Sequence, residues 1–459
     1  MIHRYQKKGL NFVLDVNSGA VHLLDDISYA VSGLLDENMG DTCPQGIIDA
    51  LPDYTADEIR EAYDELYELK KAGQLFAQDD YIDVSRYIPV NAPVKALCLH
   101  VAHDCNLRCK YCFASTGDFG QGRKIMPPEI AKKAIDFVIA RSGVRHNIEV
   151  DFFGGEPLMA WDTVTQTVDY ARSLEEKYNK KFRFTITTNG LLLDEDKRKY
   201  INENMDNCVL SLDGRREVND EFRKTVAGTG SYDTIVPKFK ALVDERDPNL
   251  DYYARGTFTS HNLDFAEDVL SIADAGFDRL SVEPVTADPG CGYDLTEDDL
   301  PKIEAEYDRL TDIMLERKKE GKPFTFFHFM VDLDQGPCVV KRLRGCGAGY
   351  EYVAVTPDGD IYPCHQFVGK DEFKQGSVLD QSFNMDIAQT FAGMNIYSRP
   401  KCQKCWAKFY CSGGCSAANY NMNHDMNDSY DLGCEMERKR LECAIYLKAM
   451  DKICANQSK

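Results

Sequence analysis

The chain reads as an α/β protein with a small module at each end, and three observations lead there. Between residues 94 and 325, candidate strands at 95–102, 148–153, 182–188, 207–212, 252–259 and 279–283 alternate with candidate helices at 128–141, 161–178, 194–204, 231–245, 263–275 and 297–319. Six β/α units in succession predict parallel strands with helices outside. The second observation is an abrupt change after about residue 325, where short strands, glycine turns and dense cysteines replace the alternation. The third is a self-contained pattern over residues 1–85. Such a sheet either closes toward a barrel or opens into a doubly wound fold. In both, ligands gather at the C-terminal ends of the strands.

Composition bounds the partners. A chain of 459 residues suggests two to four domains, and 43% hydrophobic content describes a globular protein. No apolar run approaches the roughly 18 residues that span a bilayer. The N-terminus Met-Ile-His-Arg-Tyr-Gln-Lys-Lys lacks a signal-peptide core, so a cytoplasmic location is expected. A net charge of −21 speaks against nucleic acid and against an anionic membrane surface, which both require basic patches. Seventeen cysteines without a secretion signal point away from disulfides, and nine of them fall between Cys338 and Cys443. Clustering of that kind predicts metal or cluster ligation.

In residues 1–85, Asn11–Val16 and Ala20–Leu24 flank Asn17-Ser-Gly19, a hairpin signal. Helices follow near 26–37 and 45–51. A third starts at Thr55, with Glu58 placed for a capping box, and runs to Gly73. Residues 80–93 are polar, carry two prolines and read as a linker.

Directly after the first barrel strand stands Cys105-Asn-Leu-Arg-Cys109-Lys-Tyr111-Cys112. Iron–sulfur cubes normally take four thiolates, so three on one loop leave one iron open to a small molecule; a zinc knuckle is the alternative. Phe153-Gly154-Gly155-Glu156-Pro157 follows the second strand, where paired glycines permit close backbone approach. Thr187-Thr188-Asn189-Gly190 ends the third strand and Ser211-Leu-Asp-Gly214 the fourth, with Arg223 beyond. Glu283-Pro284 ends the sixth. Downstream, Cys402-x2-Cys405-x5-Cys411-x3-Cys415 and Cys434 follow Cys346 and Gly359-Asp-Ile-Tyr-Pro-Cys364. Zinc binds Cys-x2-Cys pairs in tetrahedral sites, so it stands here beside iron–sulfur clusters.

These motifs resemble the radical S-adenosylmethionine (SAM) enzymes with a C-terminal SPASM domain. The resemblance implies a partial (β/α)6 TIM-type barrel over 94–325, a SPASM domain over 326–459, and a winged-helix-like leader-recognition domain over 1–85; a generic docking module is the alternative for the last. It implies that Cys105, Cys109 and Cys112 hold a catalytic [4Fe-4S] cluster. Around SAM it places Tyr111, Gly154, Gly155, Glu156, Thr188, Asn189, Ser211 and Arg223, with Glu156 on the ammonium and Ser211 and Arg223 on the carboxylate. Two auxiliary [4Fe-4S] clusters are implied, one on Cys402, Cys405, Cys411 and Cys434, the other on Cys346, Cys364 and Cys415. Cys338 or a substrate thiolate would complete the latter. Within this superfamily the chain is most like the maturases of SCIFF peptides, which form intramolecular thioethers in ribosomally made precursors. A leader-bearing precursor peptide and a flavodoxin- or ferredoxin-like electron donor are the implied partners. His365 stands where sulfatase maturases carry an aspartate, which speaks against sulfatase maturation. Other peptide oxidation, epimerisation, carbon–carbon cross-linking and a zinc-binding peptide adaptor are the remaining alternatives.

Overall fold

A computed structural model describes residues 1–87, 92–333 and 339–457. The six barrel strands run Ala96–His103, Asn147–Gly154, Lys181–Thr188, Asn207–Ser211, Asp251–Phe258 and Arg279–Pro284. All pair in parallel in chain order, forming a partial barrel with the helices outside. Helices Pro128–Arg141 and Trp161–Tyr178 begin and end at the expected residues. Pro128 sits in the first turn, where its missing N–H costs nothing. Asn179 ends the second helix in a left-handed conformation that asparagine tolerates.

Residues along the strands alternate in environment. Val150 and Phe152, Phe182, Phe184 and Ile186, Cys208 and Leu210, and Leu280 and Val282 are buried in the core. Each fully buried large apolar side chain contributes roughly 1.5–3 kcal/mol. The intervening positions include Thr187, Ser211, Arg255, Thr257 and Glu283, which line the barrel cavity. The sheet therefore has a dry outer face and a polar inner one.

That sheet does not stop at residue 325. Thr325–Phe326 adds to its far edge, while Tyr352–Val355 pairs in parallel with Ala96–His103 on the other side. An antiparallel meander of Asp360–Tyr362, Gly376–Ser377 and Ser382–Phe383 extends it. Glu351 ties the seam, accepting from Lys95 at 2.5 Å and Arg145 at 3.2 Å. The chain closes with a long helix, Asp431–Gln457, packed against Leu300–Lys319.

Two expectations for the N-terminal region need correction. The hairpin is a three-stranded antiparallel sheet in the order Ile2–Lys7, Leu10–Asp15, Val21–Leu24. The first strand is hidden in the sequence because a lysine occupies its inner end; Lys7 is buried and pairs with Asp308 of the barrel. Leu10–Asp15 is consequently central, so Phe12 lies on no free edge, and Val21–Leu24 forms one border of the sheet. The second correction concerns 80–93, where Tyr81–Tyr87 is a helix and the Tyr81 ring packs on Phe409 at 5.0 Å. Helices Asp26–Ser32, Gln45–Ala50 and Ala56–Lys71 follow the sheet. Thr55 and Glu58 form the expected capping box. Among the described residues no helix is long and apolar enough to cross a membrane.

Candidate active site and auxiliary cysteine sites

The loop after the first strand and the ends of strands two to six enclose a cavity of about 260 Å³. Cys105, Cys109, Tyr111, Cys112, Gly154, Gly155, Glu156, Thr188, Asn189, Ser211 and Arg223 all line it. Local pairing explains the convergence. Leu107–Cys109 forms a short antiparallel ladder with Arg223–Thr225, putting Arg223 opposite Cys109.

The glycine pair lines the cavity and also lets two backbone segments meet. A Cβ on Gly154 would lie 2.2 Å from the Ala102 carbonyl oxygen, and one on Gly155 2.2 Å from that of Asp104. Gly154 also has φ +119°, which disfavours any side chain. Their absent side chains let the second strand dock on the cysteine loop, where the Gly155 and Glu156 N–H groups donate to Ala102 and Asp104 at 2.7 and 2.9 Å.

Glu156 is 1% exposed. Its carboxylate accepts from the Thr188 hydroxyl (2.8 Å), the Asn189 N–H (2.8 Å) and the Leu158 N–H (3.0 Å). Burial outweighs these bonds and pushes its pKa up to about 7. An ammonium brought into the cavity would reverse that shift. The Asn189 side-chain amide reaches Cys105 Sγ at 3.5 Å and Asn106 Oδ1 at 2.8 Å, fixing the loop. Burial pushes the Cys105 thiol up to about 12 and Cys109 to about 11. A cationic metal centre bound there would favour the thiolate forms.

Asp213 is the residue that motif reading passed over. Fully buried, it accepts from the Tyr111 hydroxyl at 2.6 Å and the Thr257 N–H at 3.0 Å, and its Oδ2 lies 3.0 Å from Arg223 Nε. One carboxylate thus orients two expected site residues. Glu283 of the sixth strand lines the cavity, and its partner Arg255, at 2.6 Å, is a second residue that motif reading passed over. The strand alternation signals both, since each is a charged residue at an inward position. Phe113, Phe153, His365 and Gln366 complete the wall. His365 is enclosed, with Tyr352 Oη 3.3 Å from its Nδ1, and burial pushes its pKa down to about 4.

The auxiliary cysteines gather in two places. Cys402, Cys405, Cys411 and Cys434 line one cavity of about 220 Å³. Cys411 belongs to the short helix Lys408–Cys411, and Cys434 to the terminal helix. Cys346, Cys364 and Cys415 lie near one another, for Cys415 acts electrostatically on both others. Cys415 caps helix Ser416–Asn423, and Cys364 follows strand Asp360–Tyr362. Cys338 lies outside the described residues. Among those residues no three His, Cys, Asp or Glu side chains converge on one point as a single metal ion requires. Four cysteines lining one cavity match the four thiolates that a cube takes. Cys98 and Cys208 are buried strand residues, as expected.

Comparison with known proteins agrees with this division. Residues 99–251 match the Radical SAM superfamily, and residues 346–406 match SPASM, an iron–sulfur cluster-binding domain. The two matched segments fall on the barrel and on the auxiliary region in that order, and radical SAM and SPASM domains imply SAM and [4Fe-4S] clusters. Similar proteins include the cysteine-type anaerobic sulfatase-maturating enzyme of Clostridium novyi, 25% identical over 72% of this chain and 90% of the relative. The mycofactocin maturase MftC of Mycolicibacterium smegmatis is 26% identical over 72% of this chain and 80% of its own length. Among solved structures, Streptococcus suis SuiB bound to its precursor peptide SuiA covers 93% of this chain and 97% of that one. Its TM-score is 0.52 at 17% identity.

Proposed function

We propose that this protein is a radical SAM/SPASM maturase that forms intramolecular thioether cross-links in a ribosomally made, cysteine-rich precursor peptide. The observation that carries this reading is a shared wall. Cys105, Cys109 and Cys112 and the proposed SAM contacts face one cavity with His365 and Gln366, which directly follow Cys364 of an auxiliary set. Both kinds of group would therefore bear on one substrate. When bound, SAM and the cluster supply a carbon-centred radical that removes hydrogen from a peptide carbon.

The protein's own contribution is positioning. Ser211 and Arg223, the latter beside Asp213, would set the carboxylate end of SAM, and Glu156 with Thr188 and Asn189 its ammonium end. Arg255 and Glu283 would present a polar wall to the peptide, and Phe113 and Phe153 an aromatic one. The leader segment would dock on the bordering Val21–Leu24 strand, main chain to main chain. SuiB, similar in fold, has been seen with a precursor peptide, and MftC is itself a maturase. Forming carbon–sulfur from C–H and S–H removes two hydrogens, so an electron acceptor is needed; the auxiliary sites and a flavodoxin- or ferredoxin-like donor fill the redox roles.

The test is anaerobic reaction with a cysteine-containing precursor, followed by tandem mass spectrometry and thiol alkylation. A product two hydrogens lighter, with one cysteine no longer alkylated, is expected. A product of that mass that still alkylates at every cysteine would exclude the thioether and favour another peptide oxidation. The likeness to a sulfatase-maturating enzyme keeps that second reading in view.

A further inference from the structure

Two cations are buried beside the auxiliary cysteines, and their surroundings differ. Lys408 lines the Cys402/Cys405/Cys411/Cys434 cavity and is 4% exposed. Its ammonium has a carboxylate partner, Asp79, at 2.7 Å. Arg399 is 3% exposed and forms no ion pair among the described residues. Its guanidinium donates to the Gly413 carbonyl at 2.5 Å and the Ser416 hydroxyl at 2.8 Å, both neutral acceptors. Its Nε has no hydrogen-bond partner.

A buried, uncompensated charge is among the costliest groups a fold can hold, so an anionic partner is to be expected. The position of Arg399 identifies one. It stands three residues before Cys402, whose N–H donates to its carbonyl at 3.0 Å. Gly413 lies between Cys411 and Cys415, and a Cβ there would lie 2.2 Å from Arg399 Nη1. Ser416 directly follows Cys415. The ionisable groups acting most strongly on Arg399 are the thiols of Cys402, Cys411, Cys415 and Cys346. Two of these belong to each auxiliary set.

We propose that Arg399 is the shared counter-ion of the two auxiliary clusters, placed between them to hold their negative charge and raise both reduction potentials. This rests on the assignment of [4Fe-4S] clusters to the two cysteine sets. Cluster potential follows net charge and hydrogen bonding around the sulfurs. Reduction adds a negative charge, which a neighbouring guanidinium stabilises. Arg399 would thereby make both clusters better acceptors of an electron leaving the substrate.

The experiment is an EPR-monitored redox titration of the anaerobically purified full-length protein and its Arg399→Gln, Arg399→Lys and Lys408→Met variants, with iron and sulfide counted in each. The SAM-responsive signal serves as the internal reference. Expected is a downward shift of both auxiliary potentials in Arg399→Gln, with Arg399→Lys near the parent and the SAM-responsive signal unmoved. Lys408→Met should move only the Cys402-set cluster, since that cation lines the cavity of that set. Loss of auxiliary iron in Arg399→Gln but not in Arg399→Lys would support the same role. Equal potentials in the two Arg399 variants, or equal iron loss from both, would overturn it by reducing Arg399 to a hydrogen-bonding strut. A parent protein with no auxiliary cluster signal would instead refute the cluster assignment, and the counter-ion role with it.

Discussion

The barrel cavity and the auxiliary region are both built around cysteines, yet they solve the positioning problem by different means. In the barrel, parallel strands deliver side chains to one end, and backbone hydrogen bonds fix the cysteine loop against the second strand. In the auxiliary region most of the cysteines sit on short helices and turns, with Cys434 on the terminal helix, and rigidity comes from neighbours. The N-terminal module is one of these. His3 stacks on Trp406 at 3.8 Å with 2° between planes, Asp79 holds Lys408 and Tyr397, and Val16 packs in one cluster with Cys402 and Phe409. A site on regular elements stands by itself; one on loops needs a cover.

That contrast can be tested from its strongest consequence downward. Cys109→Ala should abolish 5′-deoxyadenosine formation while retaining roughly two-thirds of the iron, because the auxiliary ligands sit elsewhere. Retained SAM cleavage, or loss of all iron, would show that the regions are not independent. The next largest effect is expected in Lys408→Met, which strands Asp79 at the module interface. Breaking this part-buried pair on one side costs up to about 3 kcal/mol, to be read as a lowered denaturation midpoint with the auxiliary iron retained. By the same reasoning, deletion of residues 1–85 would impair the auxiliary region as well as leader binding. Asp213→Asn tests the barrel side without touching a cysteine. Weakening charge-assisted bonds to Tyr111 and Arg223 should lower kcat/KM for SAM cleavage about 10- to 100-fold, equivalent to about 1.4–2.7 kcal/mol. Unchanged kinetics would deny Asp213 its orienting role. Smallest is Asn384→Ala, which removes the cap of helix Met385–Gly393 beside the auxiliary region. A loss of about 1 kcal/mol in chemical denaturation is expected, with SAM cleavage intact.

What the sequence disclosed follows the same division. Strand and helix positions in the barrel were legible because each element repeats a pattern: Phe182, Phe184 and Ile186 alternate with inward polar residues, and Pro128 and Asn179 mark helix boundaries. Motif spacing brought the expected SAM-site residues to one cavity. Asp213 escaped because its role is to hold other side chains, and nothing in Ser-Leu-Asp-Gly distinguishes that from turn chemistry. The first strand escaped because Lys7 occupies an inner position, a choice explained by Asp308 and Cys443, some three hundred residues or more away. Arg399 was illegible for a related reason: an arginine before a proline carries no local sign that its charge will be buried. The Asp79–Lys408 pair and the helix within 80–93 depend on tertiary packing that no local pattern reports.

The account stands or falls on what fills the cysteine sites, and anaerobic metal and acid-labile sulfide analysis of the purified full-length protein tests that most directly. Three cubes predict about twelve irons and about twelve sulfides per chain. Stoichiometric zinc, with iron and sulfide absent, would contradict the catalytic reading and leave a peptide-binding zinc protein in its place.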